Sequence, residues 1–195
     1  MYDSSQILIF DADGVVIEPW GFARELQSNY GITPDLTRKF FTEDFKACLV
    51  GKADLAAQLA PHMAQWGWVG SVDDLINLWN QAEAKPRTKL LDHIQHLRRR
   101  GITCCLASNQ SHERADYIEY AMGFDALFDH LYFSCRLGAA KPDRKFFEAI
   151  TTNLDCAPQN VRFWDDTLVH VNGALECGWH ATHFTSDTSI EVFDS

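Results

Sequence analysis

What this sequence lacks excludes several classes of protein. Its 195 residues hold no apolar run approaching the roughly 18 that a membrane-spanning helix requires. Positive charge is scarce: 17 Lys and Arg stand against 27 Asp and Glu, a formal net charge of −10. Nucleic acid and anionic membrane both want a basic face, so neither is an expected partner. The six cysteines, at 48, 104, 105, 135, 156 and 177, show neither C-x-x-C spacing nor a secreted framework. Met1-Tyr2-Asp3-Ser4-Ser5 carries no positive region before an apolar stretch, so no signal peptide is expected. A reduced, cytoplasmic protein is the expectation. Internal repeats, low-complexity tracts and linkers are also missing, and the 46% hydrophobic content suffices for a globular core.

What is present begins with Ile7-Leu8-Ile9-Phe10, an unbroken apolar run that stops at Asp11-Ala12-Asp13-Gly14. Such a run reads as a strand buried on both faces of a parallel sheet, and open α/β sheets place their chemistry at the carboxyl ends of the strands. The design repeats. Residues 102–107 run into Ser108-Asn109, another short strand precedes Lys141-Pro142-Asp143, and residues 161–164 end at Asp165-Asp166. Carboxylates, a hydroxyl and a lysine on one rim make a phosphate-and-cation site.

Between the first strand and the rest of the sheet, residues 18–84 carry helix signals only. Thr33-Pro34 and Ser71 ahead of Asp73-Asp74 read as helix starts. Leu55, Leu59, Met63 and Trp66 fall on one helical face, and Leu75, Leu78 and Trp79 on another. About four short helices are expected, forming a lid. Downstream, strands and helices alternate to a last strand near residues 181–184, the pattern of a doubly wound parallel sheet. The expected fold is α/β, a Rossmann-like core of residues 1–17 and 85–195 with residues 18–84 as an inserted α-helical domain.

In this order and spacing, the four motifs resemble the haloacid dehalogenase (HAD) superfamily of hydrolases, most of which are phosphatases. They are Asp11-Ala12-Asp13-Gly14-Val15, Leu106-Ala107-Ser108-Asn109, Lys141-Pro142-Asp143, and Phe163-Trp164-Asp165-Asp166 with Asn172-Gly173-Ala174 and Gly178-Trp179 behind it. The resemblance spans nearly the whole chain. Within it, an insertion placed just after the first motif is a C1 cap.

Phosphoryl transfer needs an in-line nucleophile, neutralised equatorial oxygens and a proton for the leaving oxygen. A carboxylate can attack phosphorus and split one hard step into two easier ones. The resemblance implies that Asp11 is this nucleophile and Asp13 the general acid and base. A calcium loop is the competing reading of Asp11 to Gly14, but its twelfth position is Phe22, where a bidentate Glu is required. Carboxylates so crowded call for a cation, and a hard ion held by few protein oxygens suits Mg²⁺. The family pattern implies Asp11, the Asp13 carbonyl and Asp166 as ligands, with Asp165 bound directly or through water. Ser108 and Asn109, between a strand and a helix, offer a hydroxyl and amides to phosphate. Lys141 matches the family lysine that stabilises both nucleophile and phosphate.

One position departs from the pattern: His170 stands where capped members with an Asp-Asp motif often carry asparagine. Gly51-Lys52 is no Walker loop, since an upstream glycine and a following Ser or Thr are both missing. Trp20, Trp66, Trp68 and Trp79 suggest an aromatic inner wall for the lid, or a small core of its own. The expected function is Mg²⁺-dependent hydrolysis of a small phosphorylated metabolite, a sugar phosphate or nucleotide, through an aspartyl-phosphate. A phosphomutase and a catalytically idle binding or scaffold protein are the alternatives, and Asp13 counts against dehalogenation. The oligomeric state is not legible.

Overall fold

The computed structural model describes residues 6–19, 21–185 and 187–188. The amino-terminal segment read for a signal peptide and Trp20 lie outside the described residues.

Five parallel strands form one sheet in the order β3-β2-β1-β4-β5. These are β1 (Ile7–Phe10), β2 (Thr103–Ser108), β3 (His130–Phe133), β4 (Val161–Asp165) and β5 (His180–His183). Side chains alternate across it, as the period-2 pleat dictates. Leu8, Phe10, Cys104, Leu106 and Trp164 share one buried cluster; Ile9, Cys105, Ala107, Val161 and Phe163 share the other. Both faces are therefore dry, which is why β1 reads as a continuous apolar run. Helix α6 (Thr88–Arg99) covers the first face with Leu90, Leu91, Ile94 and Leu97. The second face is covered by α10 (Arg144–Asn153), through Phe146, Phe147 and Ile150, and by Ala174 of α11 (Leu168–Glu176).

Chain order places the chemistry. Strand β1 pairs with β2 on one side and β4 on the other, with Phe10 level with both Leu106 and Trp164. The chain runs outward from β1 through β2 to β3 and then crosses back to β4 on the other side of β1, and the crevice at such a switch point is where ligands bind in open α/β sheets. Asp11, Ser108 and Asp165 all reach that rim.

Residues 18–84 add no strand to the sheet among the described residues. They form α1 (Gly21–Tyr30), α2 (Pro34–Lys39), a π-helical turn (Phe40–Asp44), α3 (Phe45–Leu49), α4 (Leu55–Trp66) and α5 (Val72–Ala82). These elements bury a separate apolar cluster that includes Phe22, Leu26, Phe40, Leu59, Trp66, Leu75 and Trp79. The segment holds more helical pieces than expected, because the π turn splits what would be one helix after Thr33. Ser71 caps α5 in a reciprocal capping box with Asp74, as its sequence suggests. Thr33 does not cap α2 with its hydroxyl, and Pro34 alone marks that start. Gly21 is required for close packing: a Cβ there would lie 1.8 Å from the Ala82 carbonyl oxygen.

The two strands of chain leading into and out of these helices run side by side. Glu18 N donates to Lys85 O at 2.9 Å, Arg87 N donates to Val16 O at 2.8 Å, and Lys85 pairs with Glu18 at 2.6 Å. Elsewhere the helix that follows β2 is α7 (His112–Asp116) running into a π turn (Tyr117–Ala121), and α8 (Phe124–Leu127) comes next. Helix α9 (Ser134–Leu137) leads to the Lys141 loop.

Candidate active site

Asp11 leaves the end of β1 with its side chain only 9% exposed. Its Oδ1 accepts from Ala12 N at 2.7 Å and from Lys141 Nζ at 2.9 Å. Both donors sit on that one oxygen; among the described residues none reaches Oδ2. The side chain is thus clamped by one oxygen and open at the other.

Lys141 Nζ also donates to Asp165 Oδ2 at 2.6 Å and to the Ala107 carbonyl at 2.9 Å. An ammonium has three protons, and here all three are matched inside the protein. Lys141 nevertheless lines the cavity, where the phosphate contact expected of it would have to share these protons. Burial works against the charge on Lys141, but Asp11 and Asp165 outweigh it and hold the ammonium above its ordinary range. Asp165 shows the complementary balance. Burial favours its neutral form, yet Lys141 and then His170 hold it well below the usual carboxylate range. His170 Nδ1 lies 3.2 Å from both Asp165 oxygens, so the histidine fills the partner role of the expected asparagine.

Asp11 goes the other way. Burial, which Lys141 opposes and Asp165 reinforces, pushes its carboxyl up to about 8. The rim carries more negative charge than one lysine can offset. Ligand atoms of Asp11, Asp165 and His170 lie within 4.8 Å of one another. The ammonium of Lys141 already stands between the first two of these residues. The fourth carboxylate points elsewhere: Asp166 is half-buried, raised by burial and then by Asp165, and accepts from Thr167 Oγ1 at 3.2 Å. Its Oδ2 rests against Gly14, where a Cβ would come within 1.9 Å. Gly14 also has a φ of 83°, the left-handed region. The first motif needs its glycine for both reasons.

The second motif divides its labour. Ser108 Oγ accepts from Gln110 Nε2 at 3.0 Å and keeps its own proton to donate. The Asn109 side chain exchanges two hydrogen bonds with the Lys141 backbone, at 2.9 and 2.8 Å, so it ties two loops together. Asn109 also lines the cavity above Asp11.

Three residues that sequence reasoning missed complete the site. Gln110 Nε2 donates to Asp13 Oδ2 at 2.6 Å. The buried Arg114 guanidinium stands 3.5 Å from Asp13 Oδ1 and donates to the carbonyls of Glu83 at 2.7 Å and Asn80 at 3.2 Å. Glu83, at the end of α5, is pushed up to about 7 by burial and then by Asp13, with Arg114 opposing. Gln110 was detectable, since it directly follows Ser108-Asn109. Arg114 and Glu83 left no signal, because their meeting depends on how α5 packs beside α7.

A cavity of about 550 Å³ opens above these groups. Asp11, Asp13, Ser108, Lys141 and Asp166 line its floor; Phe22, Phe41, Phe45 and Trp79 line the facing wall. Of the four tryptophans expected there, Trp79 does line it. Trp66 is buried in the helices' own core, and Trp68 packs on Tyr30 with ring centroids 4.8 Å apart. Lys52 is exposed and away from the cavity.

The sequence profile of the haloacid dehalogenase-like hydrolases matches residues 6–178. The chain belongs to this family. Among curated relatives of the haloacid dehalogenase-like hydrolases, it is 29% identical to bifunctional epoxide hydrolase 2 of Sus scrofa over 115 residues. The match takes in 57% of this chain and 20% of that protein, so it spans about a fifth of the relative's length. A HAD family enzyme of Bacteroides thetaiotaomicron, solved in complex with magnesium and inorganic phosphate, superposes with a TM-score of 0.81 at 20% identity, covering 97% of this chain and 99% of that one. The L-2-haloacid dehalogenase of Xanthobacter autotrophicus, with chloropropionic acid covalently bound, reaches 0.70 at 18% identity, over 97% and 80%. These haloacid dehalogenase-like structures share the fold of this chain. No helix among the described residues is long and apolar enough to cross a membrane.

Proposed function

We propose that the protein is a Mg²⁺-dependent phosphatase acting on a small phosphomonoester through an aspartyl-phosphate on Asp11. The observation that carries this reading is the Asp11 carboxylate, clamped at Oδ1 and open at Oδ2 beneath a cavity, with a second carboxylate two residues on. Lys141 fixes the orientation of Asp11, and Asp165, assisted by His170, fixes Lys141. Ser108 donates its hydroxyl to a phosphate oxygen. Asp13 gives its proton to the leaving alcohol and takes one from the hydrolytic water. Gln110 and Arg114 aim that carboxylate.

The residues present fit a hard divalent ion. Asp166, pressed on Gly14, lines the same cavity as Asp11 and Asp13, and with the Asp13 carbonyl these residues offer an all-oxygen donor set. We assign those three as ligands, with Asp165 engaged through water at most, since Lys141 and His170 meet both its oxygens. Bound there, Mg²⁺ would neutralise phosphate oxygens and lower the proton affinity of Asp11.

Asp13 favours this reading over dehalogenation. A halide leaves without a proton, so that chemistry has no use for an acid held by Gln110 and Arg114. Residues 18–84 act as a cap domain on a core of residues 1–17 and 85–195. The paired chain segments at Glu18 and Lys85 support these boundaries and give the cap a common hinge. The six cysteines are unpaired, in keeping with work in the reducing cytoplasm.

The test is release of phosphate from a generic aryl phosphate, with Mg²⁺ and after exhaustive chelation. Turnover that depends on Mg²⁺ and vanishes in Asp11→Asn supports the assignment. Unimpaired turnover in that variant, or after chelation, defeats it.

A further inference from the structure

We infer that the substrate is the phosphomonoester of an apolar alcohol rather than of a sugar or other polyol. This rests on the phosphatase reading above and concerns the half of the cavity that the chemistry leaves unassigned.

The cavity is divided by polarity. Its floor carries the reacting carboxylates and their partners. Its wall comes from α1, α2, the π turn, α3 and α5, and presents Phe22, Ala23, Pro34, Phe41, Phe45 and Trp79. Phe22 and Trp79 stack with nearly parallel planes, ring centroids 4.9 Å apart at an angle of 3°. Phe41 meets Trp79 edge-on at 5.4 Å. These rings support one another, so the surface is rigid as well as apolar.

Apart from the Glu83 carboxyl at the end of α5, the uncharged polar atoms on this wall are turned toward the protein. Thr37 Oγ1 donates to Pro34 O at 3.3 Å, Thr42 Oγ1 to Arg38 O at 2.9 Å, and Trp79 Nε1 to Glu83 Oε2 at 2.7 Å. The cation of the wall, Arg38, has a side chain 69% exposed and pairs with Asp35. A hexose phosphate seated on the floor would press several hydroxyls on rings that can bond none of them. Hydroxyls buried without partners lose the hydrogen bonds water gave them. An aromatic or aliphatic group in the same place loses nothing and removes apolar surface from water on both sides. The cavity volume of about 550 Å³ accommodates a phosphate and a group of one or two rings.

The experiment compares kcat/KM for benzyl phosphate and n-hexyl phosphate with glucose 6-phosphate and ribose 5-phosphate, with Mg²⁺ present. All four release primary alcohols, so leaving-group reactivity does not set the order. Acetyl phosphate, which carries almost no apolar group, reports the chemistry alone. The expected result is a preference of about tenfold or more for the apolar esters, expressed mainly in KM. Two variants test the wall itself. Phe41→Ala removes an aromatic, and Ala23→Asn adds a polar group on α1 while leaving the packed rings in place. In each, the ratio of benzyl phosphate to glucose 6-phosphate should fall about tenfold. Turnover of acetyl phosphate with a preference for either sugar phosphate would overturn the inference and leave the phosphatase reading standing, as would a ratio unmoved in both variants. If none of the five compounds is hydrolysed, both fall together.

Discussion

The ammonium of Lys141 lies 2.6 Å from Oδ2 of Asp165, and neither side chain has any exposed surface. A buried pair of this kind costs desolvation to form, so its presence marks a requirement of the site rather than a gain in stability. It fixes Nζ at the one place where it also meets Asp11.

Lys141→Met should therefore destabilise the protein by about 3–5 kcal/mol, because Asp11 and Asp165 would remain buried without their cation. Lys141→Arg should not restore the wild-type value, since a planar fork cannot match three acceptors arranged around a point charge. Urea denaturation measures both. A loss below about 1 kcal/mol in Lys141→Met would show that the carboxylates find other partners.

Asp11→Asn should lack turnover yet fold, and without Mg²⁺ it should melt above the wild type. It removes a charge that burial already disfavours, with the carboxyl pushed up to about 8. Asp13→Asn should also be slow, but should accumulate phosphoenzyme because the base for hydrolysis is gone. Acid quench and intact-mass measurement would detect the added phosphoryl group. Its absence from Asp13→Asn during turnover would argue against a covalent intermediate.

Mg²⁺ should raise the Tm of the wild type, by an amount equivalent to about 2.7 kcal/mol at a hundred times its Kd. Asp166→Asn should lose most of this rise, and Ca²⁺ should support little turnover because its larger, looser shell misplaces the phosphate. Gly14→Ala should fail more severely, since the added Cβ meets Asp166 Oδ2 at 1.9 Å and the backbone is left-handed there. Thermal shift with and without each ion checks the set. An equal rise in Asp166→Asn would move the ion elsewhere.

Glu83 gives a pH test. Burial and Asp13 raise its carboxyl from 4.5 to about 7. Between those values the unfolded chain releases a proton that the folded protein keeps, so this group lowers stability as pH rises through the window, with no further change above it. Glu83→Gln should match the wild-type Tm at pH 4 and exceed it by roughly 10 °C at pH 8. The amide oxygen can still accept from Trp79. An identical Tm difference at both pH values would rule out the carboxyl's titration as the cause.

The central strands were legible because burial on both faces favours apolar residues along them, and β1, β2 and β4 each end at polar residues that cannot continue inward; β5, largely exposed, carries no such run. Their ends moved by a residue or so, as Ser108 and Asp165 belong to β2 and β4. The helical segment was legible as helix but not in its breaks. A π turn arises from how Phe40, Phe41 and Phe45 pack, and no local pattern marks it.

The sequence by itself determined the parallel α/β core, the rim on which Asp11, Asp13, Ser108, Lys141, Asp165 and Asp166 meet, and the excess of negative charge that a cation must balance. Those follow from strand periodicity and from residue types at strand ends, which are local properties. Tertiary structure alone decided how the carboxylates divide, with Asp165 turned to Lys141 and Asp166 to Gly14, although the two are adjacent in sequence. Successive residues leaving a strand point to opposite sides, and which side holds the lysine depends on a loop 24 residues away. The same holds for Arg114, Glu83 and the aromatic wall: each is set by helices from distant parts of the chain packing across the cavity, a relationship with no period for the sequence to show.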